Sequence, residues 1–375
     1  MTQLQELSNV SVQSISNYES GKQSPREDNL LSLANALNIP LAYFFRTTNE
    51  ARFNAVHFRS LSSLTKRDRT KSIRRLEWLS DILNFLGDHL EFVQPNLPSI
   101  GLGDNWSKLD LDEIDEIASL TRKTFGIGDG PISNMTMLLE NNGIIITRKS
   151  LETHELNAFS TWIERDQTPV VVEASNKQSA VFKRFNLAHE LGHLILHRDT
   201  SPTKLTLKQM EKQANRFAAA FLLPSRTFSR DFAIPNLDIF LALKSKWLVS
   251  IQAQIMRCRD LDIIDDKSKT RLFIYYSRRW RKDKEPLDDQ IPDEEPVFLR
   301  RCIELLVTEG ILTREDIPRQ LSLPENDIED MVDLPRGWFS RQPFQPIKLP
   351  VLKRDTSKST GTGVVVQFPG KNHKL

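Results

Sequence analysis

Two histidines and a glutamate carry the chemistry most legible in this chain, in the run His189-Glu190-Leu191-Gly192-His193. Histidines four residues apart on a helix share a face, with Cβ atoms about 6 Å apart, so both imidazoles can reach one zinc ion. Glu190 stands beside the first of them, where a carboxylate can take a proton from water instead of binding the metal. Leu187, Leu191, Leu194, Ile195 and Leu196 make the flanks apolar, as a buried helix requires. A buried glutamate between two buried histidines needs a partner, and a metal cation supplies one. Gly192 reads as leaving room for metal and substrate.

A hydrolytic zinc site takes a third protein ligand and keeps one position open for water. His197, Asp199 and Glu211 are the candidates downstream. His197 lies about 12 Å along the helix axis from His189, too far to close the same coordination sphere. It reads as a cap at the helix C-terminus, where positive charge is favoured. The pattern H-E-x-x-H-x-x-G-x-x-H fails, because position 196 is Leu and 199 is Asp. Glu211 opens a second helical pattern (Leu207, Met210, Ala214, Phe217, Ala218, Phe221) that Pro224 stops. Asn215 is its i, i+4 neighbour, placed to orient an imidazole N–H. On spacing alone Glu211 reads equally as a solvated helix charge.

The run F-N-L-A-H-E-L-G-H-L-I-L-H followed by E-K-Q-A-N-R-F-A-A-A-F-L-L-P closely resembles the ImmA/IrrE-type zinc metallopeptidases over 181–224, and loosely over 106–284. The resemblance implies Glu211 as third zinc ligand and an endopeptidase that cuts a transcriptional repressor. Zinc follows from the ligand types; manganese or iron also suit a His₂Glu set. For the residue that would steady the oxyanion, the sequence offers His154, Arg184 and Tyr275.

A second signal lies at the amino end. The stretch 9–25 resembles the turn and recognition helix of a Cro/CI-type (XRE) helix-turn-helix. Ser11 is a natural N-cap, Ile15 and Tyr18 face inward, and Gly21 ends the helix. Residues near the start of such a helix reach base edges, which by resemblance are Ser11, Val12, Gln13, Ser14 and Asn17. Gln and Asn suit adenine, and Val12 suits a thymine methyl. The sequence reads as starting inside the pattern's second helix, at Met1-Thr2-Gln3-Leu4, as expected of a truncated domain or of a misassigned start codon. Residues 1–50 carry three basic against five acidic side chains, little for phosphate neutralisation, whereas 51–80 carry eight against two. That basic stretch tracks a DNA backbone or is a solvated helix face.

These sites need elements to hold them. The expected fold is α+β and mostly helical: a zincin-like domain behind a helix-turn-helix, with a small helical unit after it. The divisions are 1–47, a linker and long helix over 48–105, the peptidase at 106–284, the helical unit at 285–340 and a disordered tail at 341–375. Leu76, Leu79, Leu83, Leu86, Leu90 and Val93 make a short heptad seam over 65–93, packing on the chain's own body or pairing two chains into a homodimer. Helices are predicted near 110–125 and 134–142, strands at 144–147, 156–163 and 169–173, and a later strand at 271–276. Residues 157–163 are expected to border the substrate cleft. With two distant cysteines and no apolar run of membrane-spanning length, a cytoplasmic protein without a disulfide framework is expected. Two other readings share this architecture: a DNA-binding regulator with a sensing or structural zinc, and an antitoxin-like partner of a toxin.

Overall fold

A three-stranded sheet with helices on both faces organises the chain in the computed structural model, which describes residues 1–46, 65–149, 158–163, 167–174, 179–198, 200, 204–231, 234–280 and 284–340. His154, Asp199, the 48–64 linker and the 341–375 tail lie outside the described residues. In chain order the elements are α1 (Thr2–Ser8), α2 (Val12–Glu19), α3 (Glu27–Leu37), α4 (Lys66–Gly87), α5 (Leu111–Thr124), α6 (Met135–Asn141), β1 (Ile145–Lys149), β2 (Ala158–Ile163) and β3 (Thr168–Ala174). They continue as α7 (Ala180–Leu196), α8 (Lys204–Leu222), α9 (Ser225–Phe228), α10 (Leu237–Trp247), α11 (Ile251–Asp260), α12 (Asp266–Arg279), α13 (Phe298–Thr308), α14 (Asp316–Leu321) and α15 (Glu325–Val332). The three predicted strands form, and the fold is α+β and mostly helical.

β3 is central, parallel to β1 and antiparallel to β2. Period-two alternation splits the strand residues between two cores. Ile146, Val171 and Trp162 face a core built with α5 to α8 and α10 to α12. Ile145, Phe159, Ile163, Val170 and Val172 face a second core, filled by α4 and α13 to α15. Ser160 shares the parity of Trp162, so strand geometry turns its hydroxyl toward α7.

The leucine seam of α4 is used inside the chain. Leu76, Leu79, Leu83 and Leu86 are buried against the sheet's second face. The helix ends at Gly87, short of the predicted 93, and Val93 is 55% exposed. A competing backbone pairing explains the early stop. Asn96 N–H donates to the Asn142 carbonyl at 3.0 Å, and the Asn96 amide donates to Asn142 Oδ1 at 2.8 Å. The extended 93–96 segment therefore lies across the turn at Gly143, whose φ is +76°. A Cβ there would meet the Val93 and Gln94 carbonyl oxygens at 2.8 Å. Gly143→Ala should cost at least about 2 kcal/mol, from the left-handed backbone and the collision together. Urea denaturation of both proteins measures it; an unchanged midpoint would contradict the packing.

The strand predicted at 271–276 is wrong: these residues belong to α12. Asp265 caps that helix by accepting from Ser268 N–H at 2.8 Å, and Leu272 and Tyr276, one turn apart, are its buried residues. The apolar spacing was four, not two.

In the helix-turn-helix, Ser11 caps α2 by accepting from Ser14 N–H at 3.1 Å. Ile15 is buried with Val10 and Leu33, and Tyr18 packs beside them. The 3₁₀ turn Leu41–Phe45 seats this module on α4. Trp78 Nε1 donates to Tyr43 Oη at 3.0 Å, the two rings meet edge to face at 5.9 Å, and Arg46 pairs with Asp81.

Candidate metal centre

Helix α7 presents His189 and His193 one turn apart, and α8 crosses it closely enough to bring Glu211 to them. Gly192 permits that approach. A Cβ on it would stand 3.1 Å from Phe217 Cδ1 and 3.3 Å from Ala214 Cα, both on α8. Its smallness serves helix–helix contact and not, as expected from sequence, room for metal and substrate. Arg216 anchors α8 from its other side through Asp115 of α5, at 2.6 Å.

The donor atoms of His189, His193 and Glu211 lie within 4.8 Å of one another. His189 Nε2 is 3.3 Å from one Glu211 oxygen, and His193 Nε2 is 3.5 Å from the other. The two Nε2 atoms are 3.0 Å apart. His189 Nδ1 is matched by Asn215 Oδ1 at 3.0 Å, an acceptor, so that ring carries its hydrogen on Nδ1 and turns a lone pair into the cluster. A carboxylate and an inward lone pair at this spacing call for a cation, and a His₂Glu set suits zinc.

The side chains' titration reflects the same demand. Burial pushes His189 toward neutrality, but Glu211 and Glu190 beside it outweigh that and raise its pKa. Burial opposes ionisation of Glu211 too, yet the two histidines hold its carboxyl well below the usual carboxylate range.

Glu190 is not among the converging three. It is buried, and Ser160 on β2 donates to its Oε2 at 2.6 Å. The carboxylate is thus oriented by the sheet, while the histidines flanking it in sequence are oriented by α8.

His197 is the residue that sequence reasoning misjudged. It is fully buried at the end of α7, with Nδ1 3.0 Å from His193 Nδ1 and Nε2 3.0 Å from Gln213 Oε1. It is not a positively charged cap: burial, reinforced by His193, pushes its pKa down to about 3. A depressed histidine pKa stabilises the fold above the unfolded value near 6.5, and that stability is lost as pH falls from there toward 3. The expected loss is about 5 kcal/mol over the whole window, of which about 3 kcal/mol falls above pH 4. Urea titrations of wild type and His197→Asn across pH 7.5 to 4 check it, since their difference should shrink on acidification. The signal for this residue was available, because His193 and His197 are also four apart. Gln213 and Trp106, which continue its hydrogen bonds, left no sequence signal.

Arg184, read from sequence as a candidate to steady an oxyanion, is engaged elsewhere. It is buried, pairs with Glu294 and donates to the Ile132 carbonyl at 2.6 Å. Tyr275 is half exposed on α12, which packs on α10 and α11. Among the proposed base readers, Ser11 and Gln13 are exposed, while Val12, Ser14 and Asn17 are half-buried. Gln13 Nε2 donates to Asn17 Oδ1 at 3.2 Å.

Two known families match parts of the chain. Residues 139–259 match a peptidase family described as the IrrE N-terminal-like domain, and residues 1–44 match a helix-turn-helix family. A search of curated proteins found no match. Among the described residues no helix is long and apolar enough to cross a membrane. The chain is therefore similar to an XRE-type helix-turn-helix over 1–44 and to the IrrE N-terminal-like peptidase domain over 139–259.

Proposed function

We propose that this chain is a zinc-dependent endopeptidase that cleaves a regulatory protein, such as a transcriptional repressor, and that binds double-stranded DNA through its amino-terminal module. The observation that carries the reading is the convergence of His189, His193 and Glu211 beside a buried, non-ligating Glu190. A purely structural metal site has no use for that base.

When bound, zinc polarises a peptide carbonyl and acidifies water. Glu190 accepts the proton of the attacking water and returns it to the leaving amine. Ser160 holds the carboxylate in place through its 2.6 Å hydrogen bond. Among the described residues β2 pairs with β3 alone, so its outer edge offers backbone groups to an extended substrate. Substrate strand addition there would pass over Ser160 and Glu190. Incubating the zinc-loaded protein with any repressor encoded next to it, followed by mass spectrometry, tests the function; a repressor that stays intact with and without DNA overturns it.

For DNA, the position of α4 bears on the basic stretch. Arg67, Lys71, Arg74, Trp78 and Asp81 are spaced by four, three, four and three, one ridge of the helix. Trp78 and Asp81 hold the helix-turn-helix, and the ridge continues toward the amino end as exposed cations. Arg67 lies about 16 Å along the axis from Trp78, within reach of a duplex gripped by that module. Cations at a helix N-terminus oppose its dipole, a local cost that contact with phosphates would offset. Replacing Arg67, Lys71 and Arg74 with Gln should lower the slope of log affinity against log salt by about 2.7, at 0.9 per phosphate contact. Fluorescence anisotropy at several salt concentrations reads that slope, and an unchanged value assigns the ridge to solvent.

A further inference from the structure

We infer that the acceptor oxygen of Gln213, which the Trp106 carbonyl orients, sets the hydrogen-bond direction of the metal-facing ring of His193 through His197, Gln213 and His197 being positioning residues. This rests on the three-ligand centre proposed above. The chain of hydrogen bonds begins at a group with no choice of role. A carbonyl oxygen only accepts, and Gln213 Nε2 donates to that of Trp106 at 2.9 Å. The amide is thereby oriented with Oε1 toward His197 Nε2, at 3.0 Å. An amide oxygen also only accepts, so His197 Nε2 bears the hydrogen. In the neutral ring the other nitrogen then holds a lone pair, and it faces His193 Nδ1 at 3.0 Å. His193 must donate from Nδ1. Its Nε2 is left with a lone pair, aimed at Glu211 and at His189 Nε2.

The chain of hydrogen bonds has one consistent direction because it ends on a carbonyl. Reversing any link sets two hydrogens or two lone pairs against each other in a buried site, an arrangement that is strongly disfavoured. Its origin is remote in sequence. Trp106 lies in the 3₁₀ turn Gly103–Lys108, before α5 and outside the matched stretch 139–259. That turn is fastened to α8: Gln209 Nε2 donates to the Ser107 carbonyl at 2.6 Å, and Trp106 packs on Met210. The Trp106 ring also meets His197 edge to face at 5.3 Å. His189 obtains its direction separately, from Asn215. Two independent acceptors therefore prepare the two imidazoles.

The test is zinc affinity of the full chain, by chelator competition, with the visible spectrum of the cobalt-substituted protein as a second readout. Gln213→Met keeps length but offers no acceptor of comparable strength, and should weaken zinc binding 10- to 100-fold. Gln213→Glu should stay within about threefold of wild type, because a carboxylate accepts from His197 Nε2 as well as an amide does. The same carboxylate cannot donate to the Trp106 carbonyl, but either of its oxygens accepts, so it needs no orienting partner. If Gln213 served only to dock the turn, Glu would harm as much as Met, and that result overturns the inference. His197→Phe fills the space without an acceptor and should match Gln213→Met, whereas His197→Asn restores an acceptor near Nδ1 and should recover affinity and the cobalt spectrum. Wild-type affinity in both Gln213→Met and His197→Phe also overturns it. Should His197→Phe fail to fold by circular dichroism, the Gln213 pair decides alone. A wild-type protein that binds no zinc would instead refute the metal centre itself.

Discussion

Glu190→Gln is expected to lower peptide cleavage by about 10³-fold or more while zinc stays bound. The amide has the shape of the carboxylate and can still accept the Ser160 hydroxyl, so the contact at 2.6 Å survives. It cannot take a proton from water, and general acid–base assistance of this kind is worth roughly 10²- to 10⁴-fold, used here twice per turnover. Glu190 is outside the converging trio, so the metal content should remain that of wild type. Fragment masses over time, with metal analysis of the same sample, separate the two effects. Wild-type cleavage by the variant would remove Glu190 from the chemistry, and loss of metal would make it a ligand.

His189→Ala is expected to lower zinc occupancy from full to about half or less at micromolar concentrations. Three protein ligands share a binding free energy of order 12 kcal/mol, so losing one should cost roughly 10³-fold in affinity. The consequence for stability is large and conditional. Ligand binding to the folded state adds about 4 kcal/mol when free zinc is a thousand times Kd, and nothing when it is far below Kd. Wild type should therefore melt higher with zinc than with chelator, and His189→Ala should melt nearly alike in both. The variant also leaves Asn215 without its imidazole partner and Glu211 facing one ring in place of two. A zinc-dependent midpoint in the variant equal to that of wild type would show that the ion sits elsewhere.

Much of the site was legible because helical spacing is local. His189, Glu190 and His193 fall on one helix, so their relative placement follows from its pitch alone. Glu211 needed more, since its distance from the histidines depends on how two helices cross. The resemblance supplied the third ligand, and the packing that allows it comes from Gly192 against Ala214 and Phe217. Ser11, Ile15 and Tyr18 were readable for the same local reason, as cap and inward face of α2.

Sequence by itself determined the contents of each element: which helix bears imidazoles, which strand alternates, where a cap residue starts a turn. Tertiary structure alone decided the contacts between elements. It stopped α4 at Gly87 by pairing Asn96 with Asn142, and it neutralised His197 by burying it beside His193. It also brought the Trp106 carbonyl to Gln213, across 107 positions of chain. Local pattern reports backbone periodicity and side-chain polarity, both properties of a few adjacent residues. Hydrogen-bond direction and desolvation depend on what surrounds a group from every side, and in a folded chain most of those neighbours are distant in sequence.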